Sequence, residues 1–175
     1  MTISLTRRTT LSLAGLLLAG PLTLTACGSA DEDGSSADAG SPAPVTSIDG
    51  QQVSLPAAGK PTAVFFFSVG CGECVGGGRS LGEAAASAED NGTDAQFLAV
   101  DMDPREPKET IEGFMEYVEA EHVPAAIDEG AVLSQRFDVA ALSTLIIVDA
   151  DGKVTFRATD PAADTIVAEL EKAGA

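Results

Sequence analysis

Tryptophan is absent from this chain of 175 residues, and tyrosine and histidine occur once each. Positive charge is scarce: 10 Lys and Arg stand against 27 Asp and Glu, a formal net charge of −17. That balance argues against nucleic acid as a partner, because phosphate binding needs a basic surface. It argues equally against attachment to anionic lipid headgroups through a basic patch. Imidazole and thiolate ligands for a metal are few, with His122 the only histidine and three cysteines in all. A long apolar run is also missing. Leu11 to Leu18 falls short of the ~20 residues a membrane span needs, and Gly15, Gly20 and Pro21 break the pattern.

What the N-terminal segment does have is the layout of an export signal. Arg7 and Arg8 precede the apolar run, and Leu24-Thr25-Ala26-Cys27 closes it in the form of a bacterial lipobox. Residues 1–26 are therefore expected to be a signal peptide and Cys27 the lipidated N-terminus of the mature chain. Thr6-Arg7-Arg8 also resembles a twin-arginine signal. Lipidation would make the Cys27 sulfur a thioether, leaving two thiols. Residues 27–44 are rich in Gly, Ser, Ala, Asp and Pro, with nothing large to bury, and are expected to form a flexible tether. Residues 45–175 have the size of one compact domain. Without Arg7 and Arg8, 8 basic residues face 27 acidic ones, a mature net charge of −19 that favours solubility.

Periodicity predicts a mixed α/β domain. Val45–Ile48 and Gln51–Leu55 flank Asp49-Gly50, a strong hairpin signal. Thr62–Ser68 is a nearly continuous apolar run, as expected of a strand covered on both faces, and Gln96–Val100 and Thr144–Val148 read the same way. Pro124–Ile127 and Val154–Arg157 are further strands. Helices are predicted at Pro107–Glu121 and Gly130–Phe137, and a last one opens on Asp160 as N-cap with Pro161 in its first turn and Ile166, Val167 and Leu170 inward. Strands alternating with helices imply a central sheet with helices on both faces.

The run Thr62-Ala-Val-Phe-Phe-Phe-Ser-Val-Gly70 delivers Cys71-Gly72-Glu73-Cys74 to the start of a helix. A helix N-terminus carries unpaired N–H groups and partial positive charge, so a cysteine there ionises more readily, and the thiolate is the reactive form. Glu73 between the two sulfurs acts the other way: a carboxylate close to a thiolate raises the thiol pKa and favours a reductant.

With these features in place, residues 45–175 resemble the thioredoxin fold, specifically the membrane-tethered extracytoplasmic relatives of the TlpA and ResA type. The resemblance rests on the hairpin with Asp49-Gly50, the strand into Cys71-Gly-Glu-Cys74, Val100-Asp101-Met-Asp103, and Leu145-Ile-Ile-Val-Asp149-Ala-Asp-Gly152 followed by a strand. It implies a thiol–disulfide oxidoreductase on the outer face of the cytoplasmic membrane. Cys71 is then the nucleophile, Cys74 the resolving thiol, and the partners are thiols or disulfides of client proteins, with a membrane protein as electron donor. No cofactor and no resident metal are implied.

The chain departs from that pattern at three places. Ser143 stands where relatives carry a cis-proline before the strand facing the site, so a trans bond is expected there, with its hydroxyl available to a Cys71 thiolate. Gly77 replaces a glutamate three residues beyond the second cysteine, and Gly76-Gly77-Gly78 predicts a loose first turn or a helix starting near Arg79. The tryptophan usual beside the motif is missing. Two other readings of the pair are a Cu(I) site, which related lipoproteins build from C-x-x-x-C and a distant histidine, and a redox-inert binding module.

Overall fold

The structure, a computed structural model, describes residues 43–175. The expected signal peptide, Cys27 and nearly all of the tether lie outside the described residues.

The sheet is organised by its most apolar strand. Strand β3 (Thr62–Phe67) is buried at all six positions, which only an interior strand with both faces covered permits. It lies between β4 (Gln96–Asp101), its parallel partner, and β6 (Thr144–Val148), its antiparallel one. With β5 (Ala125–Ile127) beside β4 and β7 (Val154–Thr159) beside β6, the order is β5-β4-β3-β6-β7. The alternating exposure of β7 is that of an edge strand.

Because side chains alternate along a strand, β3 splits the core in two. Ala63, Phe65 and Phe67 face α1 (Cys74–Asn91), α2 (Lys108–Tyr117) and α4 (Ala163–Lys172), meeting Leu81, Ile111, Phe114, Ile166 and Leu170. Val64 and Phe66 face the short α3 (Val132–Arg136) and a hairpin of β1 (Ala43–Thr46) and β2 (Gln52–Leu55), meeting Leu133, Phe137, Val53 and Leu55. Each fully buried phenylalanine contributes roughly 2–3 kcal/mol. The result is an α/β, thioredoxin-like fold with a mixed sheet covered on both faces.

Three expectations are corrected. The triple glycine does not delay α1, which begins at Cys74 and runs for 18 residues. The hairpin turns through five residues, Ser47 to Gln51, because the Ser47 hydroxyl accepts the Gln51 N–H at 3.0 Å and draws the turn wider than Asp49-Gly50 alone. Finally, α4 starts at Ala163 with Ala162 as its N-cap, so Asp160 caps nothing there. It sits at φ +46° and turns back toward Ser143. No helix among the described residues is long and apolar enough to cross a membrane.

Candidate active site

At its C-terminal end β3 gives way to a short loop. Hydrogen bonds from Cys71 N–H to Ser68 O and from Cys74 N–H to Cys71 O, both 3.0 Å, coil it directly into α1. Cys71 and Cys74 are joined as a disulfide with their Cα atoms 5.3 Å apart. The two sulfurs differ in setting. Cys74, the first residue of α1, is fully buried, whereas Cys71 on the loop is half-buried. The Cys74 N–H also donates to Cys71 Sγ at 3.2 Å. In the reduced state that donor and the helix end would both favour a thiolate on Cys71.

Glu73 is exposed and stands immediately before α1 with helical backbone angles. Its carbonyl oxygen lies 3.4 Å from Ser143 Oγ. Ser143 itself is 1 % exposed and held at φ +58°, and its peptide bond is trans, the one cis bond among the described residues being Leu55–Pro56. Its hydroxyl donates to the Asp160 carboxylate, and the Asp160 N–H returns a bond to Ser143 O at 3.2 Å. A single hydroxyl proton committed to a carboxylate leaves none for Cys71.

Asp160 is a residue that sequence reasoning placed wrongly, and Gly77 is the reason it fits. A Cβ built on Gly77 would lie 2.9 Å from Asp160 Oδ1 and 2.5 Å from the Phe65 ring. The carboxylate thus rests against the first turn of α1, one turn from Cys74. The only sequence signal was a run of glycines at positions that helical spacing buries.

Beside the exit of β3, Asp101 ends β4 opposite Phe67 and is fully buried. One of its oxygens accepts the Asp103 N–H at 2.9 Å. The other, and Glu106 Oε2, are buried with no hydrogen-bond partner among the described residues. Burial pushes the Asp101 carboxyl up to about 6 against the Asp103 N–H, and the Glu106 and Asp103 charges add to the rise. The folded chain therefore keeps this proton where the unfolded chain has released it, so stability falls as pH climbs from about 4 through 6. Asp101→Asn is expected to remove that slope and to stabilise the chain at neutral pH by about 2 kcal/mol, screening by solvent taken into account. Thermal unfolding of both chains between pH 4 and 8 measures it; parallel curves would place the titrating group elsewhere.

His122 lies away from the pair. Its Nε2 meets the Gly82 carbonyl at 3.1 Å, about two turns along α1 from Cys74. Among the described residues no group of three or more His, Cys, Asp or Glu is placed to hold a metal ion.

A cysteine pair at the start of the helix that leaves the central strand of a five-stranded mixed sheet defines the class: a thioredoxin-like fold that carries a closely spaced cysteine pair where β3 runs into α1. The chain belongs to the redoxin family, which it matches over residues 38–173. It is 62 % identical over 116 residues to the Streptomyces lividans protein called mercury resistance operon ORF3. That match covers 66 % of this chain and 61 % of the relative, so the chain spans about three-fifths of that protein's length. Among solved structures it resembles DsbF of Mycobacterium tuberculosis, with TM-score 0.63, 18 % identity and coverage of 75 % of this chain and 94 % of that one. It also resembles the exposed lipoprotein thioredoxin Etrx1 of Streptococcus pneumoniae, with TM-score 0.62, 19 % identity and coverage of 75 % and 99 %. At these identities the structural likeness establishes the fold.

Proposed function

We propose that the chain is a lipid-anchored thiol–disulfide oxidoreductase of the extracytoplasmic space, with Cys71 as nucleophile and Cys74 as resolving thiol. The observation that carries the reading is the asymmetry of the pair: a half-buried sulfur that receives a backbone N–H, backed by a buried one at the helix start. In the reductive direction the Cys71 thiolate attacks a client disulfide, forming a Cys71–client bond and releasing one client sulfur as a thiolate. The Cys74 thiolate then attacks the Cys71 sulfur, closes the Cys71–Cys74 bond and releases the second client thiolate. Two electrons pass from the dithiol to the client, and the two client thiolates take up the two protons that the dithiol gave up. The reverse sequence oxidises a client dithiol.

Residues 1–26 serve as the signal, Cys27 carries lipid, residues 27–44 tether, and the domain from residue 45 works at the outer face of the bacterial cytoplasmic membrane. The lipobox supports this placement, and among the structural neighbours Etrx1 is a lipoprotein. Glu73, exposed and lying between the two cysteines in sequence, supports a preference for reduction, with a membrane electron donor recharging the pair. The Ser143–Asp160 pair bears on Cys71 indirectly, through its place against the start of α1, where Ser143 Oγ lies 3.4 Å from the Glu73 carbonyl oxygen.

Redox titration of the full chain in dithiothreitol and glutathione buffers, read by alkylation and mass spectrometry, tests the reading. A reversible two-electron transition at Cys71 and Cys74 is expected, nearer thioredoxin's −270 mV than the −120 mV of a strong oxidant. Glu73→Gln should raise that potential by about 10 mV; an unchanged value removes Glu73 from the account. A disulfide that no thiol reduces would leave a redox-inert binding module. The name of the Streptomyces lividans relative favours one further reading, capture of a soft ion such as Hg(II) or Cu(I) by the reduced pair. Metal bound by the reduced chain and lost in Cys71→Ser, without a redox transition, would put that reading first.

A further inference from the structure

Two aspartates are buried at the ends of neighbouring strands, and the chain treats them differently. Asp128, which follows β5, is 3 % exposed, and its two carboxylate oxygens accept the Leu133 N–H at 2.7 Å and the Ser134 N–H at 2.9 Å. Asp101, which ends β4, is wholly buried, yet a hydrogen bond reaches only one of its oxygens. The other oxygen and Glu106 Oε2 are buried without a hydrogen-bond partner among the described residues. A buried charge left in that condition is costly, and the chain at Asp128 shows how the cost is avoided.

The cations nearest in sequence are engaged elsewhere. The Arg105 guanidinium donates to both oxygens of Asp103, and the Lys108 ammonium lies 2.7 Å from Asp49 and 3.3 Å from Glu112. The strand neighbours of Asp101, Phe67 and Ile127, are apolar. Burial therefore acts first against a charge on Asp101, the Asp103 N–H opposes it, and the Glu106 and Asp103 carboxylates add repulsion. Glu106 lies in the segment 102–107 that carries the chain from β4 to α2. At one end of this segment Met102 N–H donates to Phe67 O at 2.8 Å, and the residue after Phe67, Ser68, holds the Cys71 N–H. At the other end Pro107 stands as the N-cap of α2. Between them the backbone folds onto Asp101, with Asp103 N–H on Asp101 Oδ1 at 2.9 Å and Glu106 N–H on Asp103 O at 3.1 Å.

We propose that residues 102–107 form a strap operated by pH. While Asp101 carries a proton, the strap lies closed over it. Release of that proton to solvent leaves a second negative charge beside Glu106, and the strap opens to hydrate both. Opening gives up the Met102–Phe67 hydrogen bond and so loosens the end of β3 that carries the cysteine loop. The inference adds regulation to the oxidoreductase reading and rests on it: exchange at Cys71 responds to the pH outside the membrane, with the cysteine loop held more firmly in acid.

Hydrogen exchange of the full, oxidised chain in detergent tests the strap, read by mass spectrometry between pH 5 and 7.5 and corrected for the intrinsic pH dependence of amide exchange. An opening that returns the Asp101 carboxyl from about 6 to its ordinary 3.8 grows about tenfold over this range. Protection of residues 102–107 and of the loop 68–73 should therefore fall about tenfold, while staying below that of β3, as a local opening requires. Asp101→Asn keeps an acceptor for the Asp103 N–H and removes the charge, so it should abolish the fall. Glu106→Gln takes away repulsion and should move the fall to lower pH. Protection independent of pH, a fall that survives Asp101→Asn, or exchange of the strap only together with β3 overturns the strap. A fall confined to residues 102–107 overturns its hold on the cysteine loop. The thiols take no part in this measurement, so its failure leaves the oxidoreductase reading standing, whereas a failed redox titration removes the reaction that the strap would regulate.

Discussion

In a full chain carrying Cys74→Ser, client proteins are expected to accumulate covalently joined to Cys71, visible as high-mass bands on non-reducing gels that dithiothreitol dissolves. The reason is geometric. Cys71 is the sulfur a client can reach, and it lies 3.2 Å from the N–H of the residue that bears the second thiol. Closure by Cys74 is intramolecular, with an effective concentration far above that of any free thiol, so its loss should slow turnover about a thousandfold or more. Cys71→Ser should abolish attachment and turnover together, because Cys74 is fully buried and has no path to a client. Trapping by Cys71→Ser in place of Cys74→Ser would reverse the assigned roles. Absence of trapping in both would remove the dithiol mechanism.

The fold was largely legible because its strands announce themselves. Thr62–Ser68, Gln96–Val100 and Thr144–Val148 read as largely apolar stretches, and the structure makes them, to within a residue, the three inner strands of the sheet. The cysteine pair was legible for the same reason, since its chemistry depends on a strand leading into a helix, a local pattern. What the sequence concealed depends on chain segments far apart. Asp160 looks like a helix cap because Pro161 follows it, yet its carboxylate is claimed by Ser143, 17 residues earlier. Local capping preference lost to a tertiary hydrogen bond. Asp101 reads as the end of a strand, and only its burial beside Phe67 with an unpaired oxygen shows it as a titrating group.

The glycines of α1 carry the second large expectation. Propensity alone predicts that each glycine in a helix interior weakens it by about 1 kcal/mol relative to alanine, so replacement should stabilise the chain. Gly76 obeys that rule, for a Cβ there meets nothing within 4 Å, and Gly76→Ala is expected to stabilise by up to about 1 kcal/mol. Gly82 does not. Its Cβ would stand 2.7 Å from the Glu119 carbonyl oxygen and 3.0 Å from Ala120 Cβ, in the segment that follows α2. That backbone is pinned by the hydrogen bond from Ala120 N–H to Met115 O at 2.8 Å, and Glu119 already sits at φ +60°. With no flexible side chain to give way, Gly82→Ala should destabilise by about 3 kcal/mol, at the upper end of overpacking costs. Gly77→Ala lies between, since its obstacle is the rim of the buried Phe65 ring together with the Asp160 carboxylate. Denaturant unfolding of the oxidised chains orders the three; equal effects at Gly76 and Gly82 would show that α1 does not pack as described. Gly77→Ala has a further reading. The same methyl group that strains Phe65 also displaces Asp160 from Ser143, so this variant alone should change the rate of exchange at Cys71 as well as the stability. Gly77, Gly78 and Gly82 are thus the packing surface of α1, and the expected losses measure how closely the helix is drawn onto its neighbours.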